Sequence, residues 1–90
     1  MSEERRGEDD CRWFLEQMLD RLNDPKNVAK GPYEDMTVSD IRAKLKEEFD
    51  EADFEMRLHG TTSFNKTLAI SELADLAVVC MIGAVKARTL

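Results

Sequence analysis

Between Leu73 and Val85 the chain carries a single charged residue, Asp75. At about 100° per residue, apolar side chains then cover every side of a helix drawn through this stretch, so the helix must be surrounded by other protein. A chain of 90 residues leaves little material to do the surrounding. The expectation is an oligomer in which this helix packs against a partner's copy. The apolar run is shorter than the roughly 20 residues that cross a bilayer, and its aspartate is costly there, so no membrane partner is expected.

The rest of the chain reads as amphipathic helices. Residues 1–9 are charged and read as a disordered lead, with residues 10–90 as one domain. From Cys11 to Leu22 the residues Phe14, Leu15, Met18, Leu19 and Leu22 recur at helical spacing. The turn-forming run Asn23-Asp24-Pro25-Lys26-Asn27 and the break at Gly31-Pro32 make 23–37 a loop with room for a short helical turn. Thr37 or Ser39 can cap a helix reaching about His59, with an apolar stripe of Ile41, Leu45, Phe49, Ala52 and Met56. Gly60 ends it, His59 sits near its C-terminal dipole, and Ser63 or Asn65 opens a last helix reaching about Arg88. The fold class is all-α: a compact helical bundle completed by dimerisation. Met18, Met36, Met56 and Met81 suit gaps in its core.

The net charge of −6 argues against a nucleic-acid groove, which needs a basic face, and against an anionic membrane surface. An acidic chain can still hold a polyphosphate if metal ions bring the two together. The two cysteines, Cys11 and Cys80, lie far apart, and the N-terminal residues contain no apolar signal segment, a combination expected of a reduced, cytoplasmic protein. Cys80, inside the apolar run, is expected to be a small buried hydrophobe.

Two short patterns carry chemistry. One is Glu47-Glu48-Phe49-Asp50-Glu51; the other is Glu72-Leu73-Ala74-Asp75. Each holds carboxylates at i and i+3, on one helix face. Glu48 falls within about 20–40° of Ile41 and Ala52 on the wheel, beside the apolar stripe, with Glu51 and Glu55 on the same side. Glu72 and Asp75 have apolar neighbours all round. If the two helices pack antiparallel, the pairs face each other. Four carboxylates in one cleft repel strongly, and either protonation or a cation must relieve them. The 73–85 run offers no lysine or arginine for this. A divalent ion held by Glu48, Glu51, Glu72 and Asp75 is the economical answer, and an all-oxygen set suits magnesium or manganese. An isolated EExxE is more often a solvated face; an ExxD inside an apolar helix is harder to explain that way.

The pairing of Glu47-Glu48-x-x-Glu51 with Glu72-x-x-Asp75 resembles the signature of the MazG-like, all-α nucleoside triphosphate pyrophosphohydrolases. The likeness covers most of residues 11–88. Phe14–Tyr33, ending in the basic, glycine-containing Lys30-Gly31-Pro32-Tyr33, is also similar to small phage-type members. The resemblance implies a helical fold forming a dimer or a dimer of dimers. It also implies magnesium-dependent conversion of a nucleoside triphosphate and water to a monophosphate and pyrophosphate. On that reading Glu48, Glu51, Glu72 and Asp75 match the metal ligands, and Glu47 matches the extra glutamate of the motif.

Water would then be the nucleophile, and a carboxylate not fully engaged with metal, Glu47 or Glu51, would accept its proton. Lys30 can touch phosphates or be a surface lysine, and the same holds for Lys66 and Lys86. Trp13 and Tyr33 can stack on a base or anchor the fold. Two rival readings stand beside the enzyme: a non-catalytic acidic module that meets a basic partner, and a relative that binds metal or nucleotide without turnover.

Overall fold

The computed structural model describes residues 5–90, and all regular structure among them is helical. Helix α1 spans Glu8–Leu22, α2 Pro25–Val28, α3 Val38–Arg57 and α4 Lys66–Ala87, with one 3₁₀ turn at Tyr33–Asp35. Residues 1–4 of the expected lead lie outside the described residues, but Glu8 and Asp9 are helical. Their charges explain the early start: Glu8, Asp9 and Asp10 fill the first turn of α1, where carboxylates favour the helix dipole.

The other boundaries follow local chemistry. Asp24 caps α2, with Pro25 at its first position. Thr37, one of the two candidate caps, opens α3 through a reciprocal capping box: its hydroxyl accepts from the Asp40 amide, and the Asp40 carboxylate accepts from the Thr37 amide. These contacts, the one to the backbone amide foremost, hold the Asp40 carboxyl below its ordinary range. Asn65 opens α4 by accepting from the Leu68 amide. Gly60, at φ 86°, makes the left-handed turn beyond α3. His59 lies past the helix end with its ring edge-on to Phe64.

Helix α4 is the spine. It packs on α3 along one flank and on α1 along another, while α1 and α3 do not pack on each other. Ile41 of α3 meets Gly83 near one end of α4, and Glu51 meets Glu72 near the other, so these two helices run antiparallel. The core is Ile41, Val78, Val79 and Ile82, backed by Met18, Leu22, Tyr33, Met36, Leu45 and Met81. Three of the expected core methionines are therefore in place; Met56 is exposed instead.

The buried arc of α3 is Ile41, Glu48, Ala52 and Glu55. It is rotated toward the carboxylates, which leaves Phe49, expected in the stripe, 56% exposed. Helix α4 is covered on two sides only: Cys80 is exposed, not buried, and so is Ala84. The result is a slab of 44 × 38 × 23 Å. Its radius of gyration, 15.0 Å, exceeds the about 12 Å of a compact domain of this length. Its accessible surface, 7151 Å², exceeds the about 5,400 Å² expected for a folded monomer of this mass. The full α4 helix is also longer than its uncharged run. Within Lys66–Ala87 its most apolar 18-residue stretch has a mean hydropathy of 2.0, enough by length and composition to cross a membrane.

Candidate metal centre

The antiparallel packing of α3 on α4 brings both carboxylate patterns together. Oxygens of Glu48, Glu72 and Asp75 come within 4.8 Å of one another, as do oxygens of Glu47, Glu48 and Glu51. Glu48 belongs to both groups and sits at their junction. It is 7% exposed, because its place on the wheel falls inside the arc that α3 turns to α4. Glu51 is exposed and reaches Glu72 across the helix pair.

Two of these groups are incompletely satisfied. Glu48 Oε2 and Glu72 Oε2 are buried and have no hydrogen-bond partner among the described residues. An unmet buried acceptor costs about 1–3 kcal/mol, more when charged, so such atoms call for a proton or a cation. The protonation equilibria say the same. Burial, then the hydrogen bond and charge of Glu51, push Glu72 up to about 7. Burial also raises Glu48, against the pull of its hydrogen bond with Lys44, and the Glu51 charge adds to the rise.

Two cations approach the cluster, and neither comes from the 73–85 run. Arg21 Nε donates to Asp75 Oδ1 at 2.6 Å and Arg21 Nη2 donates to Oδ2 at 3.2 Å, a fork across both oxygens. Lys44 Nζ lies 3.2 Å from Glu48 Oε1 and 3.4 Å from Glu47 Oε1. Both cations are held more firmly protonated by these acids: Arg21 chiefly by the Asp75 hydrogen bond, and Lys44 by Glu48 against the opposing effect of burial. Arg21 comes from α1, whose sequence gives no sign of which helix it meets. Lys44 was the legible one, four residues before Glu48 on one helix. With all five carboxylates ionised, these two cations would leave three negative charges unmatched. The donors fit a hard divalent ion: every available atom is a carboxylate oxygen, and two of them are unclaimed.

Beside this cluster lies a cleft of about 1290 Å³, floored by Val78, Val79 and Ile82 of α4. Glu47, Glu48, Glu51 and Asp75 line its acidic side, and Lys30 and Tyr33 line the wall formed by the loop after α2. Arg21, Lys26 and Lys44 also face it. Glu72 lies instead on a shallower hollow of about 290 Å³ with Asp50, Glu51, Phe54 and Glu55. Trp13, Lys66 and Lys86 are set apart: none lines either hollow, and Trp13 is 51% exposed with its ring centroid 6.2 Å from that of Phe14.

Set beside family models, curated proteins and solved structures, the chain matches none of them.

Proposed function

We propose that the chain is a nucleoside triphosphate pyrophosphohydrolase that holds magnesium, or manganese, through Glu48, Glu51, Glu72 and Asp75. The observation that carries this reading is the pair of buried, unpartnered oxygens on Glu48 and Glu72, two carboxylates that approach within 4.8 Å of each other, with Glu48 also lining a cleft large enough for a nucleotide. The arrangement of the EExxE and ExxD carboxylates, which resembles that of the MazG-like enzymes, supports the same conclusion.

The chain's own residues divide the work. When bound, the ion would supply Lewis-acid neutralisation of phosphate charge and a more acidic water. Lys30, Lys26 and Arg21 offer positive charge along the cleft for the triphosphate, and Tyr33 offers a ring against which a base can lie. Glu47, exposed and tethered only by Lys44, or Glu51 is placed to accept a proton at the acidic rim.

The second half of the proposal is a homodimer or a dimer of dimers. Phe49 and Met56 project from the flank of α3 opposite Glu47 and Glu51, and Cys80 and Ala84 from the side of α4 opposite Asp75 and Ile82. The slab thus has an acidic cleft face and an apolar back face. Its surface excess on one chain, roughly 1,750 Å² against the folded-monomer expectation, exceeds the about 800 Å² per partner of a standard interface and falls in the range of obligate homodimers, about 1,000–2,500 Å² per partner; a second copy of the chain would cover it. The charge on α4 favours this over a lipid setting, since Asp75 pairs with Arg21 in the cleft and a bilayer would strand both.

A panel of canonical and modified nucleoside triphosphates, assayed for pyrophosphate release with and without magnesium, tests the activity. Release that needs the metal and vanishes in Asp75→Asn supports it. Absence of release across the panel, with melting unaffected by magnesium, leaves a non-catalytic acidic module.

A further inference from the structure

We propose that Arg21 is a latch on the metal centre: it holds Asp75 in the metal-free protein and lets go when a divalent ion binds. The inference rests on the metal-binding reading above and adds to it a built-in competitor.

The three closest candidate ligands are not equally available. Glu48, 7% exposed, and Glu72 each carry one unpartnered buried oxygen. Both Asp75 oxygens already accept from the Arg21 fork, Oδ1 at 2.6 Å and Oδ2 at 3.2 Å. A divalent ion sharing Asp75 with that guanidinium would be close to a like charge in a partly buried setting, and screening there is weak. The two cations therefore compete for Asp75. The ion has Glu48 and Glu72 to hold it; the Arg21 side chain donates to Asp75 alone among the described residues.

Arg21 has somewhere to go. Its side chain is 36% exposed, it comes from α1 and not from either ligand-bearing helix, and it lines the large cleft. Lys44 stands differently. It engages Glu48 through Oε1 and leaves Oε2 open, so the ion can bind without displacing it. The released guanidinium would face the space where a triphosphate lies, and its fork suits phosphate oxygens. Metal and phosphate binding are then coupled through one side chain, each lowering the cost of the other.

The test uses the full chain and Mn²⁺ alone, followed by electron paramagnetic resonance of free and bound ion. Arg21→Gln, which removes the competitor, is expected to bind Mn²⁺ several-fold more tightly than the unaltered protein. Arg21→Lys, which keeps a charge without the fork, should fall between them. Equal or weaker binding by Arg21→Gln, with helicity retained, overturns the latch and leaves the metal site standing. No binding by either protein at millimolar Mn²⁺ overturns the metal site and the latch together. A second readout is the arginine Nε–H resonance that disappears in Arg21→Gln. Addition of Mg²⁺ should move it to a solvent-like position, and an unmoved signal at saturating Mg²⁺ rules the release out.

Discussion

Glu72 of α4 lies within hydrogen-bonding reach of Glu51 of α3, so an acid from each helix meets at the junction where Glu48 is also buried. Burial first, and then this pairing, which holds a proton more readily than either acid alone, push Glu72 up to about 7.

The metal-free protein should therefore lose stability as pH rises. Glu72 has its ordinary value of 4.5 in the unfolded chain and about 7 in the folded one. Its contribution is full below the lower value and is lost as pH climbs through the upper one. Glu48, also raised, acts in the same direction. Urea melts from pH 5 to 8 without metal should show the decline. Magnesium should reverse it, stabilising most above pH 7 and releasing protons on binding. A metal-free stability that rises across this window would contradict the shared-proton picture.

Glu48→Gln separates stability from function. The amide removes a buried charge beside Glu51 and Asp75, so the metal-free variant is expected to melt no lower than the unaltered protein at pH 8. Metal binding and pyrophosphate release should both be lost. Calorimetry of the melt and of Mn²⁺ binding checks the two halves on one sample; retained tight Mn²⁺ binding would remove Glu48 from the ligand set.

Phe49→Asp probes the back face. Phe49 is 56% exposed in the single chain and makes no part of its core cluster. A charge there should convert the assembly to monomer in sedimentation while leaving the monomer's helices formed. An unaltered protein that sediments as a monomer at high micromolar concentration would refute the dimer outright.

Gly83→Ala is expected to stabilise α4. The new Cβ would sit 3.4 Å from Ile41 Cγ2, an ordinary contact, and alanine is favoured over glycine in a helix interior by about 0.5–1 kcal/mol. Chemical denaturation measures the gain directly. A loss of stability would mean that α3 and α4 approach more tightly at this point than their packing indicates.

The sequence made much of this fold legible, for reasons that can be named. Thr37 and Asn65 were candidate caps because their side chains can accept amides that the first helical turn leaves free. The EExxE and ExxD spacings held because i, i+3 placement survives any choice of partner helix. Less visible was how far α3 rotates. Its apolar arc is wider than one neighbour can cover, and the arc that meets α4 includes Glu48 and Glu55 while leaving out Phe49 and Met56. Pattern alone weighs phenylalanine over glutamate there. Arg21 was missed for another reason: its pairing with Asp75 bridges 54 positions of sequence, and only tertiary structure brings the two together.

Helices α1 and α3 meet only through α4. Opposing walls that do not brace each other leave the aperture free to differ from one bound molecule to the next. The wall from Asn23 to Glu34 carries Lys26, Lys30 and Tyr33, while Glu47, Glu48, Glu51 and Asp75 sit on the α3–α4 pair. Changes in that connecting stretch can thus re-tailor which guest is admitted without disturbing the inner carboxylates, a division of labour between doorway and hearth.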